Sequence, residues 1–327
     1  MKNKVLVIGG TGNISISIVR RLLKMGYETF VFNRGTKKNT LPADVNVMTG
    51  DRKDRPAFED LMRRKSFDAV IDMMCFDEED AMSTLRAFPH VGQLIFCSTV
   101  CVIGTQSDYF PVDETHALRP VTQYGKGKAA AEAFFLAEYY KNNYPVTIIR
   151  PSVTYGHMPT IVRQLGWDSS WIDRIQKGKP ILVLGEGMVL CQFLHTDDAA
   201  LGFVGAIGKK HCLGQIYHLV KNEVITWREY HKTAMRVLGR ETEIVGAPMR
   251  LLEKSNIPGF ELCTQIFCNH TYYDGTKAAR DIPEFKPVLS LEDGLCLTFE
   301  YMDANQLIPN CDDSVWEDKI INKVVSL

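Results

Sequence analysis

The amino-acid sequence predicts an α/β protein built on a doubly wound parallel β-sheet, with a smaller lobe formed by its later segments. Three observations lead to this prediction. Short apolar runs alternate with helical patterns through the first half of the chain, and such alternation is typical of parallel strands joined by right-handed crossovers. The runs VLVIG and LIFCS are apolar throughout, as expected for strands covered on both faces. A glycine-rich turn follows the first of these runs directly.

Each element of this order is predicted from a local pattern. Apolar runs predict strands at Val5–Ile8, Thr29–Phe32, Val45–Met48, Ala69–Met73, Leu94–Ser98 and Val146–Arg150. Helical patterns lie between these runs, at Ser15–Met25, Pro56–Arg64, Glu78–Phe88 and Gly125–Asn142. Farther along, QFLHTDDAALGFVGAI indicates a strand and then a helix with an acidic first turn, and IYHLV indicates a strand before a helix at Thr226–Leu238.

Composition limits the classes of protein that the chain can belong to. A chain of 327 residues, 45% hydrophobic and 24% charged, is an ordinary globular protein with a sizeable core. The net charge of -1 without a basic run does not favour nucleic-acid binding. Nine cysteines without CxxC or metal-ligand spacing indicate free thiols, no metal site and a reducing cytoplasm. No segment has the roughly 18 to 20 apolar residues of a membrane helix.

The turn GGTGNIS has the spacing of a G-x-x-G-x-x-G phosphate-binding turn, with Ser15 in the third position. The first glycine, Gly9, allows the chain to reverse, and the second, Gly12, lets the backbone approach a pyrophosphate. The following helix offers free amides and its positive dipole end to the phosphates. An ordinary strand-to-helix turn is the alternative, but the place at the first strand of a β–α–β unit favours a dinucleotide. The turn residues that we expect to contact this cofactor are Gly9, Thr11, Gly12, Asn13 and Ile14.

The end of the second predicted strand bears on the choice of cofactor. An NAD enzyme usually carries Asp or Glu there, whereas this chain has Asn33 and Arg34, followed by Lys37 and Lys38. A carboxylate would repel a 2′-phosphate, and Arg34 can pair with one bidentately. The cofactor is therefore NADP or NAD, with NADP favoured; a solvated basic loop is the alternative. Other predicted cofactor contacts are Arg52, Asp51, for which a helix cap is the alternative, and Ser98, for which a packing role is the alternative.

Tyr124 and Lys128 lie four residues apart in the helical stretch YGKGKAAAEAFFLAEYYK, so both side chains project from one face. Such a pair is common on solvated helices, but the dinucleotide turn and the upstream hydroxyl of Thr99 favour a nicotinamide-dependent oxidoreductase site. An ammonium within about 4 to 6 Å can lower the pKa of a tyrosine by about one to three units. We expect Tyr124 to act as acid/base on a secondary alcohol, Lys128 to lower its pKa and hold the cofactor ribose, and Thr99 to orient the substrate.

Together these motifs resemble those of the extended and atypical short-chain dehydrogenase/reductases, the group that contains NAD-dependent sugar epimerases and dehydratases. GGTGNIS is similar to the cofactor turn, GDRKD to the D-x-x-D motif, CSTVCVIG to the serine-rich strand and YGKGK to YxxxK. PVDETHALRP, RPSVTYG, GKPILVLGEG, FLHTDDAA and FKPVLSLEDGL have counterparts in the same order. The likeness runs from Lys4 to about Tyr301.

This resemblance implies a Rossmann-type dinucleotide-binding domain at residues 1–157, to which residues 190–222 return. It implies a smaller substrate-binding lobe at 158–189 and 223–327. The catalytic group that it implies is Thr99, Tyr124 and Lys128. It further implies a small sugar-like substrate and a homodimer formed through two helices.

Departures from the family pattern bear on the substrate. Val100 and Cys101 replace the Asp-Glu pair of the nucleotide-sugar dehydratases, so 4,6-dehydration is not expected. Cys191 and Gln192 stand where many epimerases have an arginine that binds a diphosphate, which argues against a nucleotide sugar. These departures do not decide the substrate: a sugar, a nucleotide sugar and a sugar-derived metabolite all stay open.

Three residues are predicted to contact the substrate. Cys101 lies two residues beyond Thr99, hence on the same strand face, at the position of an acid/base cysteine in fucose-synthase-type enzymes. Buried packing is the alternative for this thiol. His157 is its candidate partner in epimerisation, and Trp171 falls in a variable stretch where a ring could stack on a sugar.

A second hypothesis comes from another class of protein. The segment Asp72–Cys75 and the NRG turn resemble an atypical branch that includes chloroplast RNA-binding relatives. An RNA-binding or regulatory protein would keep the fold and use the cofactor as a sensor. The complete Thr99, Tyr124 and Lys128 set and the near-neutral charge favour the enzyme.

Overall fold

The structure of the chain, a computed structural model, describes residues 3–36 and 41–326. Strands and helices alternate through the first half, as the sequence predicts. In chain order these elements are β1 (Lys4–Ile8), α1 (Asn13–Lys24), β2 (Glu28–Asn33), β3 (Asn46–Thr49), α2 (Arg55–Arg63), β4 (Ala69–Asp72), α3 (Glu78–Ala87), β5 (Gln93–Cys97), α4 (Gln123–Asn142), β6 (Val146–Pro151) and β7 (Val153–Tyr155).

The second half consists of shorter elements. In chain order they are α5 (Ser170–Gln176), β8 (Ile181–Leu184), β9 (Leu190–Cys191), β10 (Phe193–His195), α6 (Thr196–Gly205), β11 (Ile216–Leu219), β12 (Ile225–Thr226), α7 (Trp227–Val237), β13 (Ile244–Ala247), α8 (Met249–Glu253), α9 (Thr276–Asp281), α10 (Leu291–Ala304) and α11 (Trp316–Val325). Short 3₁₀-helices at Val100–Val102, Lys210–Cys212 and Cys311–Asp313, and a π-helix at Cys263–Phe267, connect some of them.

The chain forms two compact units. The first contains Met1–Thr154, Thr196–Asn222 and Tyr273–Pro287, and the second contains Tyr155–His195, Glu223–Tyr272 and Val288–Leu327. The segment at 273–287 belongs to the first unit, although the sequence assigned it to the substrate lobe. The reason is local packing: α9 lies against β11, and Lys277 Nζ donates to the Ile216 carbonyl at 3.0 Å.

A seven-stranded sheet forms the centre of the first unit. Its strand order is β11-β6-β5-β4-β1-β2-β3, and every neighbouring pair is parallel. All seven strands correspond to predicted ones, with IYHLV supplying β11, so the predicted doubly wound fold is confirmed. The strand order reverses between β1 and β4, and ligands of such sheets bind beyond the carboxyl ends of the strands at this point.

Alternating side chains of the strands face two helical layers. Leu6 and Ile8 of β1 lie in an apolar core with Phe58 of α2, Ala81 of α3 and Phe135 of α4. The equally buried Val5 and Val7 of β1 must face the other side of the sheet, because side chains alternate along a strand. Helices α1 and α6 pack against each other.

The second unit has a core of its own, which is rich in aromatic rings. Strands β8 and β13 pair in parallel and β9 and β12 pair antiparallel. Trp171 and Trp227 are fully buried, and Tyr230 packs against both, with ring centroids 5.6 Å away in each case. Phe193 stacks on Tyr230 at 4.6 Å. Within residues 3–36 and 41–326, no helix combines the length and the apolar character needed to cross a membrane.

Candidate active site

The turn after β1 has the backbone that its glycines allow. Gly9 has φ +85°, and its N–H donates to the Phe32 carbonyl at 2.9 Å, which fixes the turn to β2. A Cβ on Gly9 would lie 2.3 Å from Cγ of Met74, so the loop after β4 packs directly on this glycine. Gly12 is the N-cap residue of α1. The chain therefore turns sharply from strand to helix at the strand-order reversal.

The first turn of α1 suits an anionic ligand. Its N-cap makes no side-chain hydrogen bond and the turn contains no acidic residue, so the amides at this end keep their donor capacity. Oδ1 of Asn13 is buried without a hydrogen-bond partner, which leaves a polar atom for a ligand beside the turn. Thr11 and Ile14, the other predicted contacts, are both half-buried here. The free amides fit the pyrophosphate of a dinucleotide, whereas the Asn13 oxygen is an acceptor and fits a donor group of the ligand.

The end of β2 lies beside the loop after β3. Asn33 is the last residue of β2, and its carbonyl accepts the N–H of Gly50 at 2.9 Å. Arg34 is exposed and remains a candidate partner for a phosphate, whereas Lys37 and Lys38 lie outside the described residues. Asp51, also exposed, accepts the Lys53 N–H at 2.9 Å.

Arg52, a predicted cofactor contact, has a structural role. The side chain is only 5% exposed, and its guanidinium donates to Asp72 at 3.1 Å, to Thr84 at 2.8 Å and to the Met74 carbonyl at 3.0 Å. These bonds tie the loop after β4 to α3. Arg52 therefore supports the loop that packs on Gly9 through its Nε and Nη2 atoms, while its Nη1 atom is buried without a hydrogen-bond partner.

The hydroxyls after β5 point to different partners. Thr99 is the N-cap of the 3₁₀-helix at Val100–Val102, and its Oγ1 accepts the Cys101 N–H at 3.2 Å. Ser98 is buried, and its Oγ donates to the carboxylate of Glu132 on α4. Ser98 thus joins a strand to a helix, which agrees with the packing role, one of the two roles that the sequence left open for it.

A buried ion pair continues from Ser98. Arg150 donates to both carboxylate oxygens of Glu132, at 2.8 and 2.6 Å, and both side chains are about 1% exposed. Such a bidentate pair has a fixed geometry. Because Glu132 lies one turn beyond Lys128, the network fixes α4 against the end of β5.

Tyr124 and Lys128 both lie in α4 near its amino-terminal end, which Thr122 caps by accepting the Gly125 N–H at 2.9 Å. Nζ of Lys128 lies 5.8 Å from the centroid of the Tyr124 ring and donates to the Cys97 carbonyl at 2.5 Å. The structure therefore brings the predicted pair together beside the end of β5.

The pKa of Tyr124 departs from its ordinary value in the direction opposite to the one predicted. The residue exposes 46% of its surface, yet burial around its hydroxyl raises the pKa, with additional contributions from Cys97 and Cys101. A hydrogen bond with Thr99 opposes this shift, so these two side chains are close. The ammonium of Lys128 is directed at a carbonyl, and the chain by itself keeps Tyr124 in its protonated form.

Two glycines of α4 were not recognised as part of the site from the sequence. A Cβ on Gly125 would lie 2.7 Å from the Cys101 carbonyl oxygen, and one on Gly127 would lie 2.3 Å from the Phe76 carbonyl oxygen. The glycines in YGKGK therefore let the loops after β5 and β4 approach the helix that carries Tyr124. Two glycines within a helix, where glycine is unfavourable, are the signal that could have indicated this.

The three residues predicted to contact the substrate differ in their burial and in the element that carries them. Cys101 lies in a 3₁₀-helix, not on the predicted strand, and burial raises the pKa of its thiol. His157, half-buried in the second unit, packs edge-on against Tyr301 at 5.2 Å. Trp171 is completely buried and presents no face to a sugar, because it belongs to the aromatic core. Among the described residues no group of His, Cys, Asp and Glu could hold a metal ion.

A parallel sheet with a glycine turn at the strand-order reversal is typical of dinucleotide-binding α/β proteins. A family model described as the NAD dependent epimerase/dehydratase family matches residues 5–219. The chain belongs to this family and is an NAD-dependent enzyme.

Known relatives include a reductase and a stem-loop binding protein. The chain is similar to the 2′-dehydrokanamycin reductase of Streptomyces kanamyceticus, with 29% identity over 75% of this chain and 69% of the relative. It is also similar to the chloroplast stem-loop binding protein of 41 kDa b of Arabidopsis thaliana, with 24% identity over 100% of this chain and 86% of the relative.

The fold is also shared with solved epimerases. The UDP-glucose 4-epimerase of Stenotrophomonas maltophila, with bound NAD and formylated UDP-arabinopyranose, has a TM-score of 0.76 at 18% identity. The match covers 94% of this chain and 99% of that one. At this identity the likeness shows the fold alone.

Proposed function

We propose that this protein uses NAD or NADP to reduce a ketone, or oxidise or epimerise a secondary alcohol, on a sugar or sugar-derived metabolite. The observation that carries the proposal is the grouping of Tyr124, Lys128 and Thr99 near the end of β5 in a chain of an NAD-dependent family. The nucleotide site proposed for the cofactor comprises Gly9, Thr11, Gly12, Asn13 and Ile14, with Asn33, Arg34 and Asp51 at its adenosine end.

The proposed chemistry assigns one role to each catalytic side chain. When bound, the nicotinamide ring accepts or supplies a hydride. Tyr124 exchanges a proton with the substrate oxygen, Thr99 donates a hydrogen bond to that oxygen, and Lys128 provides positive charge beside the phenol. These roles need the three side chains on one side of the substrate, which the position of Thr99 just after β5 and those of Tyr124 and Lys128 on α4 support.

Two observations favour the reductive direction. Burial raises the pKa of Tyr124, so its phenol is protonated at neutral pH and can donate to a ketone oxygen. One relative is a 2′-dehydrokanamycin reductase by name. Oxidation would need the opposite protonation state of Tyr124.

For the substrate we propose a sugar-derived ketone without a nucleotide diphosphate. Cys191 and Gln192 replace the diphosphate-binding arginine of many epimerases, and both are buried. A thiol and an amide carry no positive charge, so neither residue supplies a cation. Val100 and Cys101 supply no acid and base for dehydration. Nucleotide sugars remain in the panel of substrates because family members act on them by name.

The test is a titration of the purified chain with NAD, NADP and a panel of keto-sugars, aminoglycoside ketones and sugar nucleotides. Thermal shifts will identify ligands, since a ligand that binds the folded state raises its melting temperature. Absorbance at about 340 nm then distinguishes net oxidation or reduction from epimerisation, which returns the hydride. Failure of the chain to bind either coenzyme would refute the proposal.

A second candidate function is RNA binding with the cofactor as a sensor. The observation that favours it is the likeness of the whole chain to a chloroplast stem-loop binding protein. Strongly salt-dependent RNA binding, undiminished by Tyr124→Phe, would support this function, and absence of such binding would exclude it.

For the cellular context we propose a cytoplasmic homodimer. All nine cysteines are free, as is usual in reducing compartments. An exposed apolar side chain on α3, Met82, is consistent with pairing through a helix. Sedimentation at several concentrations will give the oligomeric state.

A further inference from the structure

The ammonium of Lys128 lies among three aromatic rings. Its Nζ is 4.9 Å from the ring centroid of Phe76, 5.0 Å from that of Phe96 and 5.8 Å from that of Tyr124. The lysine is only 1% exposed. We call these three rings the aromatic cage.

The cage supplies interactions that hydrogen bonds alone do not. An ammonium carries three donor hydrogens, and that of Lys128 gives one to the Cys97 carbonyl. The electron-rich face of an aromatic ring attracts a desolvated cation. The rings therefore stabilise a charge that burial would otherwise disfavour.

Phe76 differs from the other two members of the cage. Phe96 is completely buried in β5 and Tyr124 is the proposed acid, whereas Phe76 is 37% exposed in the loop after β4. It forms the solvent side of the cage, and its ring lies 6.3 Å from that of Tyr124. Substituting Phe76 therefore alters the cage without removing a ring from the core.

The backbone holds Phe76 in this position from two directions. Its N–H donates to the carboxylate of Asp80 at 3.0 Å, and Asp80 is itself fixed by Lys53 at 2.8 Å. Its carbonyl lies against Gly127, where any Cβ would clash. The loop is thus attached to α3 and packed on α4.

We propose that Phe76 is a positioning residue, whose ring holds the Lys128 ammonium beside Tyr124 and separates it from solvent. The effect of this positioning on catalysis rests on the proposed function. Without the ring, the ammonium on its flexible four-carbon stem gains water contacts and further positions. A smaller fraction of molecules then has the charge in the geometry that proton transfer needs.

The contact itself is tested without coenzyme or substrate, by NMR of the side-chain ammonium groups in protein labelled with ¹⁵N-lysine. Ring currents should shift the Lys128 ammonium signal upfield, and its loss in Lys128→Arg assigns it. In Phe76→Leu the signal should move downfield and exchange faster with water, whereas in Phe76→Tyr it should stay in place. An unmoved signal in Phe76→Leu overturns the proposal.

The kinetic arm separates positioning from simple packing. Phe76→Leu should lower kcat about fivefold, the effect of losing one cation–π contact of about 1 kcal/mol, and change the substrate KM less than twofold. Phe76→Tyr should retain the wild-type kcat because it retains the aromatic face. Equal losses in both variants, or a change confined to KM, overturn the proposed role.

Tyr140→Leu is the matched control, since it removes an exposed aromatic ring from the same helix. It should change neither the ammonium signal nor kcat. If the wild-type chain binds no coenzyme, the proposed function fails, and the ammonium signal still decides whether Phe76 holds Lys128.

Discussion

Glycine serves different ends in the turn after β1 and at the start of α4. Gly9 has φ +85°, a conformation that residues with a Cβ rarely adopt, so the turn itself requires it. Gly125 and Gly127 lie within a regular helix. Glycine is required there because two loops pack so closely on the helix that a Cβ would displace them. The first segment forms the proposed coenzyme site, and the second brings the proposed catalytic side chains and two loops together. Binding and chemistry should therefore be separable by mutation.

The largest effect is expected from Tyr124→Phe. Removal of the hydroxyl takes away the proposed proton donor, so kcat should fall by about 10² to 10⁴. Coenzyme affinity should stay within about twofold, because the turn after β1 is unchanged. Steady-state kinetics and coenzyme titration measure the two quantities. Tyr140→Phe is the control, and full turnover by Tyr124→Phe would refute the chemistry.

The next largest effect is expected from Gly127→Ala, on the free energy of unfolding. Whether this energy rises or falls distinguishes two physical effects. Helix propensity alone predicts stabilisation of about 1 kcal/mol. The clash with the Phe76 carbonyl predicts a lower free energy of unfolding, by about 1 to 3 kcal/mol. Urea unfolding decides between them, with Lys126→Ala as an exposed control on the same turn. A stabilised Gly127→Ala variant would show that the loop does not approach α4 this closely.

Arg34→Ala probes the binding segment. Losing a charge-assisted contact of about 1.5 kcal/mol should weaken NADP about tenfold and leave NAD unchanged. Coenzyme dissociation constants measured side by side test this, and Arg34→Lys should give an intermediate result. Equal losses for both coenzymes would remove Arg34 as the selectivity element.

The smallest effect is expected on the pH dependence of the reductive reaction. Because the pKa of Tyr124 is raised above its usual value near 10, the phenol stays protonated between about pH 6 and pH 9. Reduction uses this form, so its kcat/KM should be flat there, whereas that for oxidation should rise about tenfold per pH unit. NAD affinity should not vary, since no acidic residue lies in the first turn of α1. A reductive rate that falls across this range would contradict the assigned protonation state.

The sequence predicted the sheet because parallel strands buried on both faces leave continuous apolar runs that can be recognised locally. It also predicted the proximity of Tyr124 and Lys128, since helix geometry determines it, and placed Thr99 at the end of β5 with them.

The partners of Arg52 and Ser98 could not be predicted in this way. Arg52 binds Asp72 and Ser98 binds Glu132, and both partners are distant in sequence. The burial of Trp171 depends likewise on packing against α7 and α10. The raised pKa of Tyr124 results from desolvation in the assembled site. The spacing of residues along the sequence does not predict such desolvation.

The aromatic core of the second unit has a practical consequence. All four tryptophans of the chain, Trp167, Trp171, Trp227 and Trp316, belong to that unit. Indole emission therefore reports on its folding alone, whereas far-ultraviolet circular dichroism reports on helices of both units. Denaturant titrations followed by the two signals will coincide if the units unfold together and will separate if they do not.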